Sequence, residues 1–239
     1  MTERSSRKIQ LCLVLAVGFL IPVVTSLYAF MGLRHTHTAT RRGFIFMIIF
    51  QLIGLLCLYF VLRYQKRRFQ DIGLTFVVGL TELGHSFGLF FAALFSSALL
   101  YVVLSFIYVW IGRGLQQQQN SAIVFGTTLS ILPMLYVLLN PFHEELLVRA
   151  FLISETEWIY RSTALAVFLS VALQTSYHLY QGLPAALSHI SAFLLFSLYF
   201  VRTRRILPVV LAHMLMDVFA FVLYFRHLRH VGGHGVSAL

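Results

Sequence analysis

Charge is what this chain has least of. Only 11% of its 239 residues are charged, and just eight are Asp or Glu. Soluble domains carry about a quarter of their residues as charges, so a water-exposed globule is excluded. Length leaves no room for a large extramembrane domain either. Cysteine is equally scarce: Cys12 and Cys57 both sit in apolar runs. That excludes a disulfide framework or zinc knuckle and leaves two small core residues. No internal repeat of the kind that marks many secondary transporters is visible. A removable signal peptide is not expected, because the apolar run 9–33 is too long and lacks a clear small-x-small cleavage site.

What is present is written for lipid. Hydrophobic residues make up 59% of the chain, with 23 Phe. Runs near the roughly 20 residues that span a bilayer occur at 9–33, 44–62, 87–111, 122–139, 164–180, 183–201 and 206–225. The expectation is an all-α polytopic membrane bundle of about seven transmembrane helices (six to eight). It forms a single integral membrane domain over 1–239, with a candidate core at 122–225. Segment 142–160 is ambiguous, apolar in patches but carrying Glu144, Glu145, Arg149, Glu155 and Glu157. It reads as a partly inserted helix lining a cavity or as an interfacial helix. Polar stretches persist at membrane depth only where protein or water covers them.

The formal charge of +10 does not point to nucleic acid, because the basic residues sit in short clusters between spans. Seven spans with the N-terminus inside give 11 basic residues on the inner face: Arg4, Arg7, Lys8, Arg63, Lys66, Arg67, Arg68, Arg161, Arg202, Arg204 and Arg205. The outer face takes six: Arg34, Arg41, Arg42, Arg113, Arg226 and Arg229. The positive-inside rule then favours a cytoplasmic N-terminus. Complete crossing by 142–160 would flip everything after it. The stretch 63–79, basic first and apolar later, reads as an amphipathic connector on the inner surface. Gln116–Asn120 reads as a short polar loop, and the tail after Arg226 as a frayed, solvated end.

Ionisable residues inside membrane segments are costly and usually functional. Three groups stand out: Glu144 and Glu145 with Arg149, then His178, then His213 with Asp217. Glu145 and Arg149 are four apart in the favourable helical order and can pair on one face. Glu144 lies about 100° around the helix and is free for another role. Pro141 suggests a helix start just before them, where a carboxylate gains from the backbone dipole. The plainer alternatives are an interfacial salt bridge with a solvated glutamate, and for His178 a hydrogen-bonded interfacial histidine. His213 and Asp217 share a helix face well inside an apolar segment, where a solvated face is a poor explanation. Glu82 and His85 read as interfacial. His189, with Ser188 and Ser191, reads as helix–helix hydrogen bonding. His35 and His37 are loop residues, and Tyr177 and Tyr180 read as an interfacial belt or a substrate entrance.

Together the three groups suit peptide-bond hydrolysis. Glu144 with His178 could hold and deprotonate a water, and His213 could donate to the oxyanion. Alternatively Glu144, His178 and His213 could ligate Zn²⁺, with water in the open position. The sequence leaves open whether there is no cofactor or a divalent metal. A His-Glu-x-x-His helix is excluded, since position 147 is Leu.

Glu-Glu-x-x-x-Arg at 144–149, His-x-Tyr-Gln-Gly at 178–182 and His-x-x-x-Asp at 213–217, in that order, resemble the CAAX protease and bacteriocin-processing family. That family comprises the type II CAAX prenyl endopeptidases and bacterial Abi-type relatives. The resemblance covers about 122–225, and Asp71-Ile-Gly-Leu74 resembles a short element common before the family's core. It implies an intramembrane endopeptidase. Glu144 would be the general base, Glu145 and Arg149 its structural support, and His178 would position the water. His213 with Asp217 would stabilise the oxyanion. Members have been described both as metalloproteases and as glutamic proteases.

Three positions depart from the family's pattern. Ala150 replaces a usual Gly, Gln174 stands where Phe or Ser is common, and Asp217 stands where Asn is frequent. An ionised Asp would repel an oxyanion, so Asp217 must be protonated, orient His213 by a hydrogen bond or help bind a metal, and orientation of His213 is the expectation. The implied partners are the lipid bilayer and a protein or peptide substrate: a prenylated protein, a bacteriocin leader or a signalling peptide. Compactness suits a bacterial plasma membrane. Two other functions fit less well: a non-catalytic scaffold or bacteriocin self-immunity protein on the same fold, and a proton-coupled transporter. A relay would need polar residues through both leaflets, whereas these concentrate in the second half of the chain.

Overall fold

A computed structural model describes residues 2–33, 40–112, 125 and 130–233, without the side chains after His227. Arg34, His35, His37, Arg113, Gln116–Asn120, His234 and the start of the run at 122 lie outside the described residues. The described residues are helical, with no strands among them. Helices α1 (Glu3–Phe30), α2 (Arg41–Tyr64) and α3 (Leu80–Trp110) come first. Then α4 (Ile131–Glu144) passes through a π-helical segment, Glu145–Phe151, into α5 (Leu152–Tyr160). Next come α6 (Thr163–His178), the short α7 (Leu183–Ser188), α8 (Ile190–Thr203) and α9 (Leu207–Gly233).

Among the described residues, six helices are long and apolar enough to cross a membrane. One of them is Ile131–Tyr160, a 30-residue helix built from α4, the π segment and α5. The ambiguous segment 142–160 is therefore the second half of one candidate span, not a separate element. This span takes the place of the one expected at 122–139. Pro141 lies inside α4 rather than at a helix start. Pro141 cannot donate to the preceding turn, and the wider π turns begin four residues later, both usual sites of helix irregularity. The run at 164–180 forms α6, whose 16 residues rise about 24 Å, short of a full hydrocarbon core. The tail after Arg226 does not fray at once, since α9 continues to Gly233.

The distribution of side chains is that of a protein solvated by hydrocarbon. Phe95, Phe106 and Trp110 are exposed, while Glu145, Arg149 and Glu155 are fully buried. Exposed aromatics would be a liability in water, but in lipid they face a solvent as apolar as themselves. Charges then collect inside, where partners replace the missing water.

One end of the bundle gathers the basic clusters. Glu155 on α5 accepts from Arg7 of α1 at 3.0 Å and from Arg67, just beyond α2, at 2.5 Å. Glu157 pairs with Arg204 at 2.6 Å, and Glu82 at the start of α3 pairs with Arg205. Glu82 is thus buried in an ion pair rather than solvated. The 3₁₀ turn Phe69–Ile72 follows α2, with Asp71 accepting from the Arg68 N–H at 2.7 Å. Gly73 adopts φ +91°, and its carbonyl accepts from the Ile206 N–H at 3.0 Å. A Cβ at this position would strike the Arg204 carbonyl, so Gly is required by conformation and space together. Phe76, Val77, Val78 and Leu80 are exposed beside the same basic end, whereas Ile72 and Leu74 of the connector at 63–79 are buried.

Candidate active site

The site lies where the α4–π–α5 crossing meets α6 and α9. Glu144 and Glu145 are consecutive, so they leave the helix about 100° apart and serve different neighbours. Glu144 turns towards α6. Its Oε2 accepts from the Tyr177 hydroxyl at 2.5 Å and the Gln174 amide at 3.0 Å. Its Oε1 accepts from the Asn140 amide at 3.0 Å. Each donor follows from helical spacing: Asn140 is one turn before Glu144, and Gln174, Tyr177 and His178 stand at i, i+3 and i+4 on one face of α6.

Glu145 turns towards α9. Its Oε2 receives Arg149 Nη1 at 2.5 Å, and its Oε1 meets His213 Nδ1 at 2.6 Å. Arg149 is fully buried, lies 5.5 and 5.3 Å from the rings of Phe193 and Phe196, and leaves Nε and Nη2 without hydrogen-bond partners among the described residues. His213 Nε2 faces two more carboxylates, Asp217 at 3.5 Å and Glu144 at 4.0 Å. Asn140 also reaches Asp217 Oδ2, at 3.3 Å, so one amide links the two carboxylates that face His213 Nε2.

Glu144, Glu145, Arg149, His213 and Asp217, singled out from sequence, therefore meet in one cluster. The contact expected to orient His213 from Asp217 is present but longer than the one from Glu145. Glu145 is more than a partner for Arg149: it joins the arginine to the imidazole. His178 stands one ring away, 4.8 Å from Tyr177 between ring centroids. Its Nδ1 meets the Gln181 amide nitrogen at 3.2 Å, and its Nε2 is buried without a hydrogen-bond partner among the described residues.

Sequence reasoning missed Asn140 and misplaced Tyr177. The tyrosine is 6% exposed, packs on Phe19 at 5.2 Å and bonds Glu144, so it is no interfacial anchor. Its position one residue before His178 and three after Gln174 is the signal that could have found it. Gln174, a departure from the family's pattern, donates to the central carboxylate. His189 meets Gln181 Oε1 at 2.9 Å, and Ser191 meets Ser97 of α3 at 3.3 Å between their hydroxyls. His85 meets the Tyr199 hydroxyl at 3.0 Å.

Among the described residues, no three His, Cys, Asp or Glu side chains are arranged to hold a metal ion. Glu144, His178 and His213, the expected metal triad, do not form such a group. Three donors occupy Glu144 and leave one acceptor position on Oε1, while His213 Nδ1 is engaged by Glu145.

The polytopic bundle of apolar helices defines the class, an integral membrane protein, and this one holds a buried carboxylate–imidazole cluster. Residues 126–219 match the model of the family described as type II CAAX prenyl endopeptidase Rce1-like. This stretch contains all three motifs that carried the resemblance and every residue of the cluster. Comparison with characterised proteins and with solved structures gave no match.

Proposed function

We propose that this chain is an intramembrane endopeptidase that hydrolyses a peptide bond of a membrane-associated or lipidated protein, with Glu144 as general base. The observation that carries this reading is the set of donors around the Glu144 carboxylate. A carboxylate has about four acceptor positions. Three are filled by Asn140, Gln174 and Tyr177, leaving one on Oε1 for a water. Three fixed donors hold the carboxylate in one orientation, as a base that must meet a reacting water requires.

Glu144 takes a proton from water as the oxygen attacks the substrate carbonyl. Negative charge then moves to the carbonyl oxygen, where a donor within hydrogen-bond reach stabilises it. His213 suits that role as an imidazolium: Glu145 accepts its Nδ1 proton and anchors one side of the ring, and the Nε2–H lies on the Glu144 side, free to donate. Asp217 faces the same Nε2 and limits ring rotation. The proton gained by Glu144 passes to the leaving amine as the C–N bond breaks.

The bilayer is the second partner, and on this reading the basic end of the bundle faces the cytoplasm. Arg7, Arg67, Arg204 and Arg205 converge there by ion pairing, which supports the positive-inside orientation. Lys8 and Arg161 join them beside Tyr160 and Trp158. The experiment that tests the reading compares peptide termini in membranes from cells expressing wild type or Glu144→Ala at equal levels. New termini that require Glu144 are expected and would name the substrate. Identical termini, from folded protein that still gives a phenotype, would sink catalysis in favour of a binding role.

A further inference from the structure

Beyond the carboxylate cluster, the end of α6 carries a directional chain of hydrogen bonds that the hydrolysis above does not use. Gln181, in the 3₁₀ turn Leu179–Gln181, contacts three polar side chains. Its Nε2 meets His178 Nδ1 at 3.2 Å and donates to the Tyr180 hydroxyl at 3.0 Å. Its Oε1 meets His189 Nε2 at 2.9 Å. An amide nitrogen only donates and an amide oxygen only accepts, so the roles at both imidazoles follow. His189 must carry its proton on Nε2, and His178 must present a bare Nδ1.

We infer that Gln181, held in orientation by His189, is a positioning residue that fixes His178 as the Nε2–H tautomer, so that His178 holds the water as a donor and never acts as its base. This rests on the endopeptidase reading. His178 Nε2 is buried and has no acceptor among the described residues, as a donor reserved for a substrate or water would be. The ring cannot escape easily: Tyr177, Phe193 and His189 lie 4.8, 5.3 and 5.5 Å away between centroids. A ring locked with a proton on Nε2 cannot remove the water's proton there. That step falls to Glu144, while His178 donates to a lone pair on the water oxygen. The division of labour explains why an amide, able to donate on one side and accept on the other, stands between two histidines. The hydrogen bond made at one ring nitrogen commonly sets the histidine tautomer in this way.

The test uses the full chain in detergent micelles with ¹⁵N-labelled histidine, the His178 signals being assigned from a His178→Asn sample. A protonated Nε2 and an unprotonated Nδ1 are expected in the wild type. Gln181→Glu, which offers only acceptors, should put a proton on Nδ1. A proton on Nδ1 already in the wild type would mean the amide faces the other way and would overturn the inference. On a cleaved substrate, Gln181→Met should lower kcat about tenfold, as losing one hydrogen bond of ordinary strength does, with KM within about twofold. His189→Gln, which keeps a donor for Oε1, should stay near wild type, whereas His189→Phe should follow Gln181→Met. Wild-type kcat in a folded Gln181→Met protein would also overturn it. The tautomer is read without activity, so failure of the protease reading would be seen separately.

Discussion

Removing Glu145 alone should cost far more than removing both members of the Glu145–Arg149 pair, and the two single losses should differ. Both side chains are fully buried, with Nη1 and Oε2 2.5 Å apart. Glu145→Gln leaves Arg149 charged between Phe193 and Phe196, with Nε and Nη2 already short of hydrogen-bond partners among the described residues. Stranding a buried charge costs about 3–5 kcal/mol. For a chain of this size that is a melting shift on the order of 10 °C. Arg149→Met is milder, roughly 1–3 kcal/mol, because Glu145 keeps His213 at 2.6 Å. The double variant Glu145→Gln with Arg149→Met removes the stranded cation and should recover much of the loss. Cleavage should not recover with it, because His213 loses its carboxylate anchor in both proteins. Thermal unfolding in detergent, followed by circular dichroism and read beside cleavage, checks each point. A double variant less stable than Glu145→Gln alone, or one as active as wild type, would refute the reasoning.

Glu144→Gln keeps the shape of the site but cannot take a proton, so cleavage should vanish while the melting temperature stays close to wild type; residual cleavage above about 1% of wild type would deny Glu144 its role. Tyr177→Phe removes the hydroxyl that lies 2.5 Å from Glu144 and should lower kcat roughly 10–100-fold, from the 1.5–3 kcal/mol of a charge-assisted bond; a steady-state assay showing only a KM effect would contradict this. Gly54→Ala would bring a methyl to 2.6 Å from His143 Nε2, where α1 and α2 approach at Gly18, and should destabilise by about 1–3 kcal/mol; an unchanged unfolding curve would show that His143 yields freely. Treatment with a strong chelator should leave cleavage intact, and loss of activity restored by zinc would overturn the metal-free arrangement of Glu144, His178 and His213.

Some features were legible because they follow from local periodicity and solvent. Apolar runs report lipid directly, so the helical class and most crossings could be read from the chain. Glu145 with Arg149, and His213 with Asp217, are four residues apart, so helix geometry alone puts each pair on one face. Other features depended on contacts between distant segments. Pro141 and the charges after it broke the pattern of a single span, yet Ile131–Tyr160 runs through as one helix because neighbouring helices satisfy its polar face. No spacing along the chain relates Tyr177 or Gln174 to Glu144, or His213 to Glu145 across 68 residues. Those bonds exist because the packing of α6 and α9 around the π segment removes water from carboxylates that must then be satisfied by protein. The sequence by itself determined a helical membrane protein and which side chains were too costly to be idle. Only the tertiary structure decided which carboxylate meets the donors of α6 and which holds the imidazole, because that choice depends on which helix lies against each face.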